Sequence, residues 1–295
     1  MSYSRPANSS NPTLFVIVMD QSGSMSETWA KNPPSPKSHA LADIANRLIS
    51  DLAKTCISGS VVKDRIHIAL IGYGGPRGTT SMWEGALSGK EVVSISEAYA
   101  NPKQSLKRKV KIPDGAGGLI EVDQDFQVWI EPVSHGGTPT AEALDLAAQI
   151  VSKWTNDPAN AGRNSNAFPP IVCHVTDGMP HDAQAAHIAA QRLVSLGTSD
   201  GTVLLVNIHV SASNGAEYGY AVTEADLPSG DPQAKFLFDI SSPIPTELVE
   251  SAQGAGLPVR AGSKLMIGNA DAVGVISLLS FASTAGSKAA IEPTA

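Results

Sequence analysis

Asp20, Ser22 and Ser24 stand at alternate positions in the segment Asp20-Gln21-Ser22-Gly23-Ser24, directly after the apolar run Thr13–Met19. One carboxylate and two hydroxyls on a loop tightened by glycine can converge on a small cation. An all-oxygen set of this kind suits a hard ion such as Mg²⁺ or Mn²⁺ rather than zinc or copper. An Asx-type turn capping the next helix would account for one of the three residues and leave the other two unexplained. Two further segments offer the same chemistry. In Gly136-Gly137-Thr138-Pro139-Thr140, Thr138 either caps the following helix or lends its hydroxyl oxygen to the ion. In Thr176-Asp177-Gly178, Asp177 follows a strand directly. Thr-Asp-Gly alone is common turn chemistry; two carboxylates and three hydroxyls from three strand ends make a more specific constellation.

These loops need a scaffold that delivers them to one rim. Thr13–Met19 is continuously apolar, as a central parallel strand buried on both faces must be. Lys37–Cys56 carries Leu41, Ile44, Leu48 and Leu52 on one stripe and reads as a helix. Arg65–Tyr73 reads as a second strand, so the chain opens as strand, helix, strand, the start of an open α/β sheet. The alternation returns with helices over Pro139–Trp154 and His181–Leu196 and strands over Ile171–Thr176 and Val203–Val210. A short strand is expected at Phe236–Ile240, a brief helix at Glu247–Ala252 and a last helix at Asn269–Ser283. Between residues 76 and 127 the pattern blurs. Glu91–Ile95, Lys109–Ile112 and Leu119–Val122 look like short strands in an irregular insertion. Open α/β sheets place ligands at the carboxyl ends of their strands, where all three oxygen-rich loops should rise.

The motifs Asp20-x-Ser22-x-Ser24, Thr138 and Asp177 together resemble a von Willebrand factor type A (vWA) domain with a complete metal-ion-dependent adhesion site (MIDAS). The likeness covers about Thr13 to Phe281. It implies a doubly wound, mostly parallel central sheet with one antiparallel edge strand and helices on both faces. It implies direct coordination by Ser22, Ser24 and Thr138, with Asp20 and Asp177 acting largely through waters. More narrowly, Gly136-Gly-Thr-Pro-Thr140, Thr176-Asp-Gly-Met-Pro180 and Gly268-Asn-Ala-Asp271 resemble bacterial cytoplasmic members associated with tellurium resistance. Those are linked with stress responses and, in some systems, with partner kinases and phosphatases. The implied organisation is a flexible N-terminus over residues 1–12, a single domain over 13–284 and a tail over 285–295.

The expected function is a divalent-metal-dependent interaction module of the cytoplasm. Mg²⁺, or Mn²⁺ or Ca²⁺ in its place, would present an exchangeable position to an Asp or Glu carboxylate of a protein partner. A metal-assisted phosphohydrolase is the alternative, set back by Ser22: aspartyl phosphotransferases need a second carboxylate at that place. No phosphate-cradling GxxxxGK[ST] loop occurs either. A structural domain in which the ion only staples loops is the third reading. In the adhesion-type relatives the last helix, here with Val273, Ile276 and Leu279 as anchors, can be coupled to the ion.

Other residues bound these readings. Trp29, Met82 and Trp83 either give a partner apolar surface beside the ion or pack their own loops; His135 and His181 belong to the same rim, as ligand contacts or as local backbone hydrogen-bonders. Pro33, Pro34 and Pro36 accompany Trp29. Lys103, Lys107, Arg108, Lys109 and Lys111 form either a solvated run or a docking patch for an acidic partner. Cys56 and Cys173 read as buried free thiols. A formal charge of -7 over 295 residues argues against a basic nucleic-acid surface, and no apolar stretch of 18 residues spans a membrane.

Overall fold

The computed structural model describes residues 2–29, 34–113, 118–160, 162–210 and 217–269. Strand β1 (Thr13–Asp20) is buried at every position, because its two rows of side chains enter two different cores. Phe15, Ile17 and Met19 join Leu41, Ile44, Leu48 and Leu52 of helix α1 (Lys37–Thr55). Leu14, Val16 and Val18 meet Ala143, Leu144 and Ala147 of helix α3 (Thr140–Thr155). Each such Leu or Ile contributes about 1.5–3 kcal/mol through burial. A polar side chain in either row would face apolar surface, which is why the run is unbroken until Asp20.

Beside β1 lie β2 (Ile66–Gly75) and, on the other flank, β6 (Ile171–Thr176), both parallel to it. Between β2 and β6 the chain makes β3 (Gly78–Ser81), helix α2 (Ile95–Ala100) and a hairpin, β4 (Gln104–Pro113) with β5 (Leu119–Val128). Then follow α4 (Ala183–Ser195), β7 (Leu204–His209), β8 (Tyr218–Gly219), α5 (Pro232–Ile240), α6 (Thr246–Gly254) and β9 (Met266–Gly268). The sheet order is β8-β9-β7-β6-β1-β2-β3. The five inner strands run parallel, while β3 and β8 are antiparallel. The fold is thus a mixed α/β sheet with helices on both faces. Antiparallel strands close both edges, not one: β3 returns on β2 through a turn at residues 76–77, too short for a parallel crossover, which needs a dozen or more residues, whereas β8 pairs with β9 across a connection that includes α5 and α6.

Two expectations need correction. Phe236–Ile240 is helical rather than extended. Asp231 caps α5 by accepting the amides of Gln233 and Ala234 at 2.9 Å, Pro232 needs no donor at the first position, and Ala234, Leu237 and Ile240 fall on one buried face. Residues 76–127 are also more regular than expected. Two of the three short strands belong to the arms of one hairpin, each arm ten residues long, and the third shrinks to Val93–Ser94, where Ser94 caps α2. Within the hairpin Lys107 pairs across with Asp125 and Lys109 with Asp123, so acidic residues oppose the basic run. Arg108 holds Asp43 of α1 through two 3.0 Å bonds and covers the Phe126 ring at 3.7 Å. Asn46 of α1 clamps the returning chain, accepting the amides of Trp129 and Ile130 and donating to the Ile130 carbonyl.

The first residues are held rather than loose. The amides of Ser2 and Tyr3 donate to the Asp200 carbonyl, and those of Ser4 and Arg5 to its buried carboxylate. The expected helix over Asn269–Ser283, with Val273, Ile276 and Leu279, lies outside the described residues beyond Asn269, as do Pro33 and the tail. Cys56 and Cys173 are buried free thiols. Among the described residues no helix is long and apolar enough to cross a membrane.

Candidate metal site

From β1 the chain moves to β2 on one flank and later to β6 on the other, so the strand order reverses between β1 and β6. That switch point leaves a crevice outside the strand ends, and Asp20 and Asp177 stand at its two sides. Backbone bonds draw three loops together over it. The Gln21 amide donates to the Tyr73 carbonyl at 2.8 Å, the His135 amide to the Gln21 carbonyl at 2.6 Å, and the Gly23 amide to the Gly136 carbonyl at 3.0 Å. Gly74 and Gly136 make this approach possible. Both have positive φ, 80° and 70°, and a Cβ on Gly74 would stand 2.1 Å from the Gly137 carbonyl oxygen.

Side chains then fill the crevice. Asp20 is 1% exposed, and its two carboxylate oxygens accept the Ser22 amide and the Thr176 hydroxyl, each at 2.8 Å. Burial raises its pKa; the bonds from Ser22 and Thr176 oppose that, and the neighbouring Asp177 charge adds to it. The Ser22 and Ser24 hydroxyls are 3.1 Å apart, and Ser24 donates to Asp177 Oδ1 at 2.7 Å. Asp177 Oδ2 accepts from the Lys37 ammonium at 2.8 Å, and Lys37 also donates to Glu27 at 2.9 Å. Burial pulls the Lys37 pKa down, yet the bonds and charges of Asp177 and Glu27 prevail and leave it raised.

Thr138 precedes α3 and is reached from the β6 loop. Its amide donates to His181 Nε2 at 2.9 Å, its carbonyl accepts the His181 amide, and its hydroxyl oxygen lies 4.0 Å from where a Cβ on Gly178 would stand. The His181 ring rests on Gly137, leaving no room there for a side chain. So the structure brings Asp20, Ser22, Ser24, Asp177 and Thr138 to one crevice and gives His181 the work of fixing the Thr138 backbone.

The donor set fits a hard divalent ion. Its atoms are carboxylate and hydroxyl oxygens, and a carboxylate buried as deeply as Asp20 gains from a nearby cation. Among the described residues no three His, Cys, Asp or Glu side chains form a metal cage, so any ion held here must draw on the hydroxyls. Helices α1 and α3 both begin at this rim, and the positive ends of their dipoles add positive potential.

Trp29, Met82 and Trp83 do not line the rim as partner contacts. They are 3%, 3% and 0% exposed and belong to the α1-side core. Each ring removes so much apolar surface from water that packing it inward outweighs presenting it. Around the crevice, His135, His181 and Met179 are exposed instead. Met179 was legible only as the residue after Asp177-Gly178. Lys37 and Tyr73 carried no local signal as site residues: one reads as the first residue of a helix, the other as a strand end. Tyr73 lies at the floor, with its hydroxyl 2.8 Å from His174 Nε2.

Solved structures give distant likenesses. The manganese-loaded TRAP protein of Plasmodium vivax is 18% identical with a TM-score of 0.34, over 68% of this chain and 58% of that one. The pilus adhesin SpaC of Lactobacillus rhamnosus GG is 14% identical with a TM-score of 0.39, over 68% of this chain and 24% of that one. Proximal thread matrix protein 1 of the mussel byssus is 12% identical with a TM-score of 0.41, over 94% of this chain and 48% of that one. The chain therefore spans less than two thirds of the length of each. No family model and no curated protein matches it.

Proposed function

We propose that this chain is a divalent-metal-dependent protein-interaction module that binds a partner carboxylate at a MIDAS-type site. One observation carries the reading: Asp20, Ser22, Ser24, Thr138 and Asp177 reach a single crevice at the switch point of the sheet from three separate loops. In this reading the hydroxyls of Ser22, Ser24 and Thr138 hold the ion, and Asp20 and Asp177 orient them and the intervening waters. Bound Mg²⁺ or Mn²⁺ supplies a Lewis-acidic position that exchanges water for an anionic oxygen. Thr176 keeps Asp20 turned into the crevice through its 2.8 Å bond. His181 keeps Thr138 at the lip. The rim of His135, Met179 and His181 gives an Asp or Glu side chain of a partner polar and apolar surroundings.

Two observations bear on the other readings. Ser22 stands where a phosphohydrolase of the aspartyl type would need its acid–base carboxylate. Direct bonds between Gly23 and Gly136, Gln21 and His135, and Ser24 and Asp177 already tie the three loops, so an ion has little stapling left to do. The resemblance of Gly268-Asn-Ala-Asp271 and the two other loop motifs extends the proposal to a bacterial stress or tellurium-resistance system with a kinase or phosphatase as partner.

The test is calorimetric titration of Mg²⁺, Mn²⁺ and Ca²⁺ into wild type and Asp20→Asn, followed by capture from extract with metal or chelator. Saturable binding in the wild type alone, with a partner retained only when metal is present, is the expected result. A folded wild type that binds none of the three ions would sink the reading.

A further inference from the structure

The charge inside the crevice is unusual for a cation site. Lys37 is the first residue of α1 and 2% exposed, yet its ammonium lies 2.8 Å from Asp177 Oδ2. The Asp177 side chain is completely buried, while the other partner of Lys37, Glu27, is 57% exposed and well screened by water. The strong pairing is therefore with Asp177. Each Asp177 oxygen has its own donor: Ser24 takes one and Lys37 the other. The Lys37 backbone is also fixed, its amide donating to the Glu27 carbonyl at 3.0 Å, so the ammonium has no easy route out.

We infer that Lys37 is a resident cation of the metal site, a positioning residue that holds Asp177 against Ser24 and weakens the binding of a divalent ion. The inference rests on the metal-dependent reading above. Its physical basis is charge. Asp20 and Asp177 alone would meet an incoming ion with two negative charges; the ammonium cancels one and repels the ion from within a few bonds of the Ser24 ligand. Removing one partner of a buried pair leaves the other uncompensated, so without Lys37 the Asp177 carboxylate would need the ion itself as counter-charge. With Lys37 present, the metal-free crevice stays assembled, and the loaded site carries one more positive charge toward an anionic partner.

The test uses the full chain with Mn²⁺ and Mg²⁺ as probes, measured by calorimetry and by thermal unfolding in chelator and in metal. Lys37→Met should bind Mn²⁺ at least about tenfold more tightly than wild type. Its melting temperature should fall in chelator and recover with Mn²⁺ by more than the wild-type increment. Lys37→Arg keeps the charge and should stay within about threefold of wild-type affinity, which separates charge from packing. If Lys37→Met does not fold in chelator, folding restored by Mn²⁺ supports the inference, and Lys37→Gln takes its place in the titration. Equal or weaker Mn²⁺ affinity in the folded neutral variants overturns the role of Lys37 and leaves the metal site standing. A folded wild type and a folded Lys37→Met that both ignore every ion overturn the metal reading and this inference with it.

Discussion

Lowering the pH should destabilise this fold through one buried imidazole, His174 of β6. The residue is 1% exposed, with Nδ1 2.9 Å from Asn207 Oδ1 and Nε2 2.8 Å from the Tyr73 hydroxyl. Asn207 donates its amide nitrogen to Ser241 Oγ, which turns Oδ1 toward His174. Nδ1 must then carry the proton and Nε2 accept from Tyr73, so the ring is held as one neutral tautomer. Burial pushes the His174 pKa down to about 4, and the bond to Asn207 opposes only part of that. In the unfolded chain the ring titrates near about 6.5. Between those two values the unfolded state binds a proton that the folded state refuses, so stability is full above the upper value and is lost as pH falls toward the lower one. The slope is about 1.4 kcal/mol per pH unit and the total roughly 3 kcal/mol. Urea unfolding at about pH 7.5, 6 and 5 should show this in the wild type. His67 and His209, also depressed by burial, add to the same trend, so the diagnostic quantity is the difference in slope between wild type and His174→Gln. A variant with the wild-type pH slope, whatever its stability at neutral pH, would refute the assignment to His174.

Other perturbations test the scaffold of the site. Gly74→Ala places a Cβ 2.1 Å from the Gly137 carbonyl oxygen at φ 80°; a loss of about 3 kcal/mol in chemical unfolding is expected, with weaker Mn²⁺ binding as the two loops part. Asn46→Ala strips partners from two amides and a carbonyl at Trp129 and Ile130 and should cost about 2–4 kcal/mol, read by thermal unfolding. Asp200→Ala frees the amides of Ser4 and Arg5; hydrogen exchange there should accelerate by at least about tenfold while exchange in β1 stays slow.

The elements that sequence determines well here are those whose reason is local. Thr13–Met19 is apolar at every position because both of its faces are covered, and Lys37–Thr55 shows its buried stripe at helical spacing. Because Asp20, Thr138 and Asp177 sit at the ends of such elements, their meeting at one sheet edge follows from topology, and the donor types themselves suggest a hard ion. Phe236–Ile240 defeated local reading because five apolar-rich residues suit a strand or a helix equally; Asp231 and Pro232, just upstream, decide for the helix.

Tertiary structure alone decided the rest. Lys37 and Asp177 are 140 residues apart in the chain, and nothing in a lysine at a helix start announces a buried ion pair. Trp29 follows the Asp20–Ser24 segment closely, and Met82 and Trp83 follow the strand that ends at the Gly74 turn, yet all three face the core, since which side of a loop turns inward depends on elements packed from elsewhere. The bonds joining Tyr73, His174 and Asn207 likewise link β2, β6 and β7, the first two across β1, which only the sheet brings together. Strand ends, caps and periodicity are written in consecutive residues. Charge pairing and burial depend on distances between residues far apart in the chain, and only the folded sheet sets those.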